Sequence, residues 1–247
     1  MPNSLRTDIL KEMHEGTMAA HLSADKILPM IAERFWWPAM GADTRRYCEA
    51  CVLCNRATPY ASKRFGKLRP VVASGPWHTV AMDLYGPLND GFEDERYVLV
   101  MMDHFTKYVV LCALRDKRAA TVARKVQKYL LCQFGIPKRI ITDNGTEFKG
   151  QFDEVCVDVG IQHSMSLPYH QQANGLVERY MQLLNKMVKI VAHEAEAVWP
   201  RRLCTLAFAY NTSYHPTVQN TPFFLLDNFL REGESDSGGR KVRDSSR

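Results

Sequence analysis

The sequence predicts a mixed α/β sheet that follows a small helical module. Two observations indicate this: short apolar runs rich in Val and Leu fill residues 78–115, and strand and helix patterns alternate behind them. Strands that first pair as a meander and then alternate with helices build a mixed sheet. At 247 residues, 46% of them hydrophobic, the chain can form one large domain or two smaller ones.

Composition favours an intracellular protein with an anionic partner. The net charge is +5 and the pI is near 8.8, a mild lean towards negatively charged molecules. Seven cysteines, an odd number, follow a polar N-terminus without an apolar signal core, and no apolar run approaches the length of a membrane span. We therefore expect reduced thiols, no membrane partner, and clustered cysteines that bind metal rather than form disulfides.

Two histidines and two cysteines near the N-terminus predict a zinc site. Six residues separate His14 from His21 and two separate Cys51 from Cys54, with 29 residues between the pairs. Imidazole and thiolate are the ligands that Zn²⁺ prefers, and four of them close a tetrahedral structural site. Cys48 leaves an alternative open, because "CEACVLC" holds two overlapping CxxC pairs.

The residues between these pairs predict a helical cover for the metal. The run "SADKILPMIAERFWW" is helix-like, although Pro29 interrupts it. We expect Ile27, Ile31, Phe35 and Trp36 to form a small core over the zinc. A module of this size buries too little surface to fold without its metal, since zinc ligation contributes roughly 10–16 kcal/mol in small finger peptides.

A basic stretch follows the module. Residues 55–70 contain five cations, two interleaved aromatic rings and no acid. Such a stretch suits the phosphate backbone of DNA, and we expect contacts from Lys63, Arg64, Lys67 and Arg69. A solvated tether is the alternative interpretation.

Three apolar runs predict the first strands. "HTVAMDLYG" carries Asp83, and "RYVLVMMDHF" and "KYVVLCALR" follow, joined by a tight connection at Phe105–Lys107. The amphipathic run "AATVARKVQKYLLCQFG" then predicts a helix that Gly135 and Pro137 end.

A fourth strand carries a second carboxylate. "KRIITDNGTEF" predicts a strand that ends on Asp143 and turns through Asn144 and Gly145. A short helix over Phe152–Val159 and a strand over Ile161–Ser166 follow. Asp143 thus stands at the carboxyl end of a strand, where open α/β sheets place their ligands.

A long amphipathic helix begins shortly before Glu178. Its apolar stripe contains Leu176, Tyr180, Leu184, Met187 and Val191. Its polar stripe contains Gln182, Asn185, Lys186 and Lys189 behind Glu178. An acid in the first turn complements the helix dipole in the simplest interpretation, and ligates a metal in the alternative.

The metal interpretation requires this helix to pack beside the sheet. The carboxylates of Asp83, Asp143 and Glu178 would then converge, and they would repel one another unless cations lay between them. Oxygen ligands suit Mg²⁺ or Mn²⁺. Two such ions ~3.5–4 Å apart activate an attacking oxygen and stabilise the leaving one. The polar stripe of the helix would take phosphates.

Several motifs stand in order along residues 5–226: "LRTDILKEMHEGTMAAH", "FWWPAM", "CVLCNR", "GPWHTVAMDLYGPL", "DHFTKYVVL", "ITDNGTEF", "PYHQQANGLVER" and "AYNTSYHPTVQNTPFFLL". Together they resemble the integrases of gypsy-type LTR retrotransposons, which are related to retroviral integrases. The resemblance implies a His2Cys2 zinc domain followed by a ribonuclease H-like core. It also implies DNA 3′-end processing and strand transfer by a D,D,E triad that holds divalent metal.

The resemblance assigns roles residue by residue. The implied triad is Asp83, Asp143 and Glu178. The implied zinc ligands are His14, His21, Cys51 and Cys54, because "CNR" follows the second cysteine as in the family.

Other residues near these motifs are assigned DNA-contact or structural roles. Tyr169 and Gln172 match loop positions that contact the DNA end in relatives, and Asn144 is either such a contact or a turn former. We expect Asp103 to end its strand as a turn residue and Glu147 to be a solvated side chain.

These observations divide the chain into a zinc-binding domain at 1–56, a basic linker at 57–75, a catalytic core at 76–226 and a disordered, Gly- and Ser-rich tail at 227–247. The expected partners are element ends and target DNA, bound by a homo-oligomer in the nucleus. Both ends look cut relative to the family. The alternative function is therefore a domesticated or fragmentary integrase-derived DNA-binding protein without catalysis, and a third is a nuclease of the same fold without joining activity.

Overall fold

The protein is a mixed sheet with helices on both faces and a further group of helices at its N-terminal end. The structure, a computed structural model, describes residues 2–16, 18–57, 73–88, 93–165, 175–195 and 198–237. For residues 3, 175–180, 194, 230 and 232–237 it describes the backbone alone. The predicted mixed α/β class with a helical N-terminal module is confirmed.

The elements have the following bounds. The N-terminal group contains α1 (Asn3–Glu15), α2 (Ala24–Ala32), α3 (Met40–Ala50) and α4 (Val52–Ala57). The sheet contains β1 (Thr79–Tyr85), β2 (Tyr97–Asp103), β3 (Val109–Leu114), β4 (Arg139–Thr142) and β5 (Gln162–Met165). The other helices are α5 (Ala119–Val126), which continues through a π-turn at Gln127–Leu131 into α6 (Cys132–Phe134), then α7 (Gln151–Asp158), α8 (Gly175–Ala195), α9 (Trp199–Thr212) and α10 (Pro222–Ser237).

The strands lie in the order β3-β2-β1-β4-β5. β1 to β3 form an antiparallel meander, whereas β4 pairs parallel with β1 and β5 pairs parallel with β4. The short turn between β2 and β3 permits only antiparallel pairing, and the helical crossover through α5 and α6 brings β4 back parallel. All five strands lie where the sequence predicts strands.

Side chains of the sheet alternate between two apolar clusters. In β2, Val98 and Val100 face the cluster that α8 and α9 cover, and Leu99 and Met101 face the cluster that α5 and α7 cover. Because β2 is buried on both faces, its sequence reads as an unbroken apolar run. In β1 the same alternation directs Ala81 to the α8 face, and Asp83, two residues on, has the same parity.

The N-terminal helices share the core of the α8 face. Leu10, Leu22, Ile27 and Ile31 belong to one buried cluster with side chains of α8, α9 and the sheet. The module is therefore joined to the rest of the chain by apolar packing.

The predicted core over the metal is corrected in two positions. Ile27 and Ile31 are buried as expected, but Phe35 is 38% exposed and Trp36 is 76% exposed. The buried ring is Trp37, at 1%. Phe35 and Trp36 lie beyond the end of α2 at Ala32, so the spacing of that helix does not place them in its buried face.

The edge strand β3 is capped by a side chain. Asn211 of α9 accepts a hydrogen bond from the Val109 N–H at 2.8 Å and donates one to the Val109 carbonyl at 2.9 Å. The amide group thus replaces a neighbouring strand at a position where a strand edge would otherwise stay unpaired.

The C-terminal part also departs from expectation. Pro200 lies in the first turn of α9, and α10 continues to Ser237, so residues 227–237 are helical rather than a disordered tail. Leu226 anchors α10 in the core, and Phe229 contacts the ring of Phe105. Within the described residues, no helix is both long and apolar enough to cross a bilayer.

Candidate functional site

The structure gathers the predicted zinc ligands into one group. The candidate ligand atoms of His14, His21, Cys51 and Cys54 all lie within 4.8 Å of one another. Each residue comes from a different place: the end of α1, the turn before α2, the end of α3 and the middle of α4. Four short helices therefore meet at this point.

The spacing of these atoms fits zinc. With Zn–N near ~2.0–2.1 Å and Zn–S near ~2.3 Å, a tetrahedral ion sets nitrogen and sulfur ligands ~3.5 Å apart. The His14 Nε2–Cys54 Sγ distance is 3.5 Å, and the His21 Nδ1 atom lies 3.4 Å from Cys51 Sγ and 3.8 Å from Cys54 Sγ. Two imidazoles and two thiolates at these distances form the donor set of a structural zinc site.

A hydrogen bond to the backbone fixes the tautomer of His14. Its Nδ1 atom lies 2.9 Å from the Leu22 carbonyl, to which it donates, so Nε2 is left as the metal-facing nitrogen. Burial lowers the pKa of His14, which favours the neutral imidazole that binds metal. Cys48 Sγ lies 3.5 Å from the Nδ1 side of the same ring. This geometry favours Cys51 and Cys54 over the alternative pair that includes Cys48.

Asp83 and Asp143 lie close enough for their charges to interact. The parallel register of β1 and β4 pairs Val80 with Ile140 and Ala81 with Ile141. Asp83 is two residues past the second of these pairs in β1, and Asp143 directly follows the end of β4 at Thr142. Asp83 is half-buried and Asp143 is exposed at the end of β4.

The surroundings of Asp83 suit a bound cation. Burial raises the pKa of the Asp83 carboxyl, and the carboxylates of Asp143 and Glu147 raise it further. Hydrogen bonds from the Asn185 amide, at 3.2 Å, and from the Leu84 N–H oppose this rise. A divalent cation between Asp83 and Asp143 would remove the repulsion.

Asn185 supplies a further oxygen at this point. Its amide nitrogen must face Asp83, since an ionised carboxylate only accepts hydrogen bonds. Its Oδ1 atom is then buried without a hydrogen-bond partner in the structure. A buried orphan oxygen beside two carboxylates fits a divalent cation or its hydration shell.

The third predicted carboxylate lies on the same helix. Glu178 is in the first turn of α8, where the structure describes the backbone alone. Position 185 follows position 178 by seven helical steps, close to two full turns, so both belong to one stripe of α8. That stripe contacts Asp83 through Asn185.

A buried relay supports the end of β4. The Thr142 hydroxyl donates to the Asp143 carbonyl at 2.8 Å and lies 2.8 Å from His163 Nε2. The other ring nitrogen of His163 pairs with the Asp153 carboxylate of α7. These contacts hold the backbone of Asp143 in place. The sequence did not predict them, because Thr142, His163 and Asp153 lie in three separate elements.

The structure also defines the surroundings of two other acidic residues, Asp103 and Glu147. Asp103 is buried at the end of β2, where it accepts hydrogen bonds from the Trp77, Phe105 and Thr106 N–H groups. Its predicted role as a turn residue is confirmed. Glu147 is half-buried rather than solvated.

The predicted DNA contacts fall into three groups. Asn144, Gln182 and Lys189 are exposed. Asn185 is held against Asp83, and Lys186 lines a cavity with zinc-site residues instead of continuing the open stripe of Gln182 and Lys189. The remaining predicted contacts lie outside the described residues: Lys63, Arg64, Lys67, Arg69, Tyr169 and Gln172.

Comparison with known families gives two matches. Residues 1–60 match the integrase zinc-binding domain, and residues 73–171 match the integrase core domain. Both functional groups described above lie at least partly within these matches.

The known proteins that resemble this chain include transposon polyproteins and a chain of a viral intasome. The Tf2-3 and Tf2-4 transposon polyproteins of Schizosaccharomyces pombe (strain 972) are each 26% identical to this chain over 234 residues, 93% of the chain. The chain spans 18% of the length of each. A cryo-EM structure of the simian T-cell lymphotropic virus intasome in complex with PP2A regulatory subunit B56 gamma contains a chain that is 19% identical, with a TM-score of 0.53 over 87% of this chain and 73% of that one. This likeness shows the shared fold.

The resemblance to gypsy-type retrotransposon integrases is thereby confirmed. The chain carries an integrase zinc-binding domain at residues 1–60, followed by an integrase core domain at residues 73–171.

Proposed function

We propose that this chain is a metal-dependent polynucleotidyl transferase that trims the 3′ ends of element DNA and joins them to target DNA. The observation that carries the proposal is that the Asp83 carboxylate lies within the electrostatic influence of Asp143 and accepts a hydrogen bond from Asn185 of α8. The match of residues 73–171 to the integrase core domain supports the same reaction class.

Asp83, Asp143 and Glu178 would hold the divalent ions, either Mg²⁺ or Mn²⁺. When bound there, such ions supply Lewis-acid activation of an attacking oxygen and charge stabilisation of the leaving oxygen in an in-line displacement. The attacking group is water in 3′-end processing and a DNA 3′-hydroxyl in strand transfer. Asn185 keeps the Asp83 carboxylate in one orientation, and the Thr142 hydroxyl holds the backbone of Asp143.

The structural zinc has a different task. Its four ligands join the ends of four helices, and a His2Cys2 site with all positions filled leaves no place for a substrate. His14, His21, Cys51 and Cys54 therefore stabilise the fold and do no chemistry on DNA.

The proposed macromolecular partner is duplex DNA. Gln182 and Lys189 are exposed on α8, next to the stripe that reaches Asp83, and can receive phosphates. The basic residues Lys63, Arg64, Lys67 and Arg69 would extend this contact. We propose that the chain works as a homo-oligomer, because each of two element ends requires its own active site.

An end-joining assay tests the proposal. Purified zinc-loaded protein is incubated with Mn²⁺ and a labelled duplex that has a recessed 3′ end. We expect products longer than the substrate from the wild type and none from Asp83→Asn, with activity retained by Asp158→Asn, a matched change at an exposed carboxylate of α7.

Each other outcome contradicts the proposal in its own way. Shortened products without joined ones indicate a nuclease. DNA binding without any product indicates an integrase-derived binding protein. Joining by Asp83→Asn excludes the assigned site.

A further inference from the structure

Helix α7 holds the ring of a buried histidine of β5, His163. Asp153 of α7 pairs with the Nδ1 atom of this ring, and the ring of Phe152, the preceding residue, meets it edge-on with the centres 5.2 Å apart. The His163 side chain is 7% exposed, and Phe152 is buried. Two consecutive side chains of one helix therefore fix both the position and the orientation of the imidazole.

The register of the sheet brings this imidazole to β4. His163 pairs with Ile140 of β4, and Thr142 lies two residues further along that strand. Because side chains alternate along a strand, His163, Ile140 and Thr142 share one face of the sheet. The His163 Nε2 atom lies 2.8 Å from the Thr142 hydroxyl oxygen, so the two side chains are in direct contact.

The donors and acceptors give each contact a direction. The Thr142 hydroxyl has one proton, which it gives to the Asp143 carbonyl at 2.8 Å because a carbonyl only accepts. The hydroxyl oxygen is then the acceptor for an N–H at Nε2 of His163. The ionised Asp153 carboxylate also only accepts, so the N–H at Nδ1 serves Asp153. In this arrangement both ring nitrogens donate, and the relay ends on the backbone of Asp143.

A carboxylate, an imidazole and a hydroxyl in this order also form the triad of many hydrolases. In those enzymes the hydroxyl donates to the imidazole and attacks a substrate. Here Thr142 is only 2% exposed, and its proton is directed at the backbone of the same chain. The relay therefore acts on the position of Asp143 and not on a substrate.

The residue at the end of the relay is a proposed metal ligand. The Asp143 carbonyl accepts from Thr142, and the Asp143 Oδ1 atom accepts from the Gly145 N–H at 3.0 Å. Because Asp143 is exposed, these hydrogen bonds rather than core packing fix where its carboxylate lies. Groups that orient a metal ligand from behind also set the affinity of the site for its metal.

We propose that His163 and Asp153 are positioning residues for the divalent-metal site, and that they place the Asp143 carboxylate through the hydroxyl of Thr142. Helix α7, which supplies no ligand, thereby helps to set the metal affinity of the carboxylate site. The inference rests on the proposed function in one respect, the assignment of Asp143 as a ligand.

The Mn²⁺ affinity of the zinc-loaded full chain tests this role. Electron paramagnetic resonance of the free ion measures the affinity, and an Asp83→Asn protein identifies the part that belongs to the carboxylate site. The variants are Asp153→Ala, His163→Leu and His163→Gln. The matched control is Asp158→Ala, which removes the same charge from an exposed position of α7. Thermal melts verify folding, and if His163→Leu does not fold, Asp153→Ala and His163→Gln still carry the test.

We expect Asp153→Ala and His163→Leu to weaken Mn²⁺ binding by about 10-fold, the usual scale for groups that support metal ligands. Asp158→Ala should stay within about 2-fold of the wild type, because salt screens an exposed charge. His163→Gln should bind Mn²⁺ more tightly than His163→Leu, because its amide can replace the Nε2 donor to Thr142. Adding Thr142→Val to His163→Leu should cause little further loss, because both changes interrupt the same relay.

The direction of the effects separates positioning from charge. Asp153→Ala removes a negative charge, which by itself weakens cation binding, whereas His163→Leu removes no negative charge and cannot act in that way. Four results would each overturn the proposal: undiminished Mn²⁺ affinity in His163→Leu, equal losses in Asp153→Ala and Asp158→Ala, equal affinities of His163→Gln and His163→Leu, or additive losses in the double variant. If the affinities change as expected but the wild type joins no ends, the proposed function fails and the positioning role stands.

Discussion

At the scale of single residues, the position of Asp143 depends on a hydroxyl. Thr142 connects the Asp143 carbonyl to His163, and His163 is paired with Asp153 in turn. The His163 side chain is only 7% exposed. Its ring nitrogens therefore depend on protein partners rather than on water.

Thr142→Val should lower the free energy of unfolding by ~1–3 kcal/mol. Valine keeps the branched shape but removes the hydroxyl, so the buried His163 nitrogen loses that partner. Urea denaturation measures the change. Thr146→Val, at an exposed threonine of the following turn, should have little effect. Equal losses in the two variants would show that the relay does not support β4.

At the scale of elements, a buried lysine joins α2 to α9. Lys26 Nζ donates to the Ser213 hydroxyl at 3.0 Å and lies 4.3 Å from the centre of the Tyr210 ring. Lys26 is 3% exposed, and burial lowers its pKa from 10.5 to about 8. The docking of the N-terminal module on α9 therefore includes a group that is costly to charge.

This lysine predicts a pH dependence of stability. Between pH 8 and 10.5 the unfolded chain holds the Lys26 proton and the folded chain does not, so stability from this group rises with pH across that window. The total is about 3 kcal/mol. Lys26→Met should remove this rise. Urea unfolding of wild type, Lys26→Met and the exposed control Lys11→Met at pH 7.5, 9 and 10.5 measures it. A Lys26→Met protein that keeps the wild-type pH profile would contradict the assignment.

At the basic linker, we predict that substitutions change the salt dependence of DNA binding. Replacing Lys63, Arg64, Lys67 and Arg69 with Gln should weaken DNA binding and flatten the log–log plot of affinity against salt. Each phosphate contact that is lost lowers the slope by ~0.9 on duplex DNA. Fluorescence anisotropy at several salt concentrations measures this slope. A slope that does not change would identify the stretch as a solvated tether.

The sequence predicts elements whose burial is dictated locally. β2 reads as a strand because it is apolar on both faces. Asp83 stands out as a charge inside an apolar strand, and Asp143 as a charge directly after one. The helices α3 and α10 were not predicted, since their packing depends on distant residues.

The same limit applies to single side chains. Lys26 looks like a surface residue until Tyr210 and Ser213 are placed over it, and Trp37 looks no more buried than Trp36 until the end of α2 is known. Spacing grouped the two imidazoles with a pair of thiolates, because zinc chemistry supplies the missing tertiary information, but the choice of Cys51 and Cys54 over a pair with Cys48 came from the family resemblance.

At the scale of the whole molecule, the N-terminal module and the integrase core share one apolar cluster. Ile27 and Trp37 of the module are buried together with Leu184 and Leu206 of α8 and α9. Parts that share a buried cluster lose their packing together when one of them unfolds.

The zinc-loaded chain should therefore unfold in one calorimetric transition. Ile27→Ala, at a fully buried site, should lower the stability of that whole transition by ~2–5 kcal/mol. Val52→Ala, at a side chain that is 60% exposed, serves as the control. A separate early transition for the module would contradict the shared core.

The assignment of the third carboxylate tests the proposed chemistry most directly. Two glutamates can complete the pair of aspartates: Glu178 in the first turn of α8, and Glu147, whose charge reaches Asp83. Glu→Gln keeps the size of each side chain and removes the negative charge that holds a cation. The test compares strand transfer by three zinc-loaded proteins at matched Mn²⁺: the wild type, Glu178→Gln and Glu147→Gln. Thermal melts verify that each variant is folded. We predict that Glu178→Gln folds and binds DNA but joins no ends, because the ions act through charge at the phosphoryl oxygens, and that Glu147→Gln keeps its activity. An active Glu178→Gln protein would contradict the triad of Asp83, Asp143 and Glu178, and with it the mechanism.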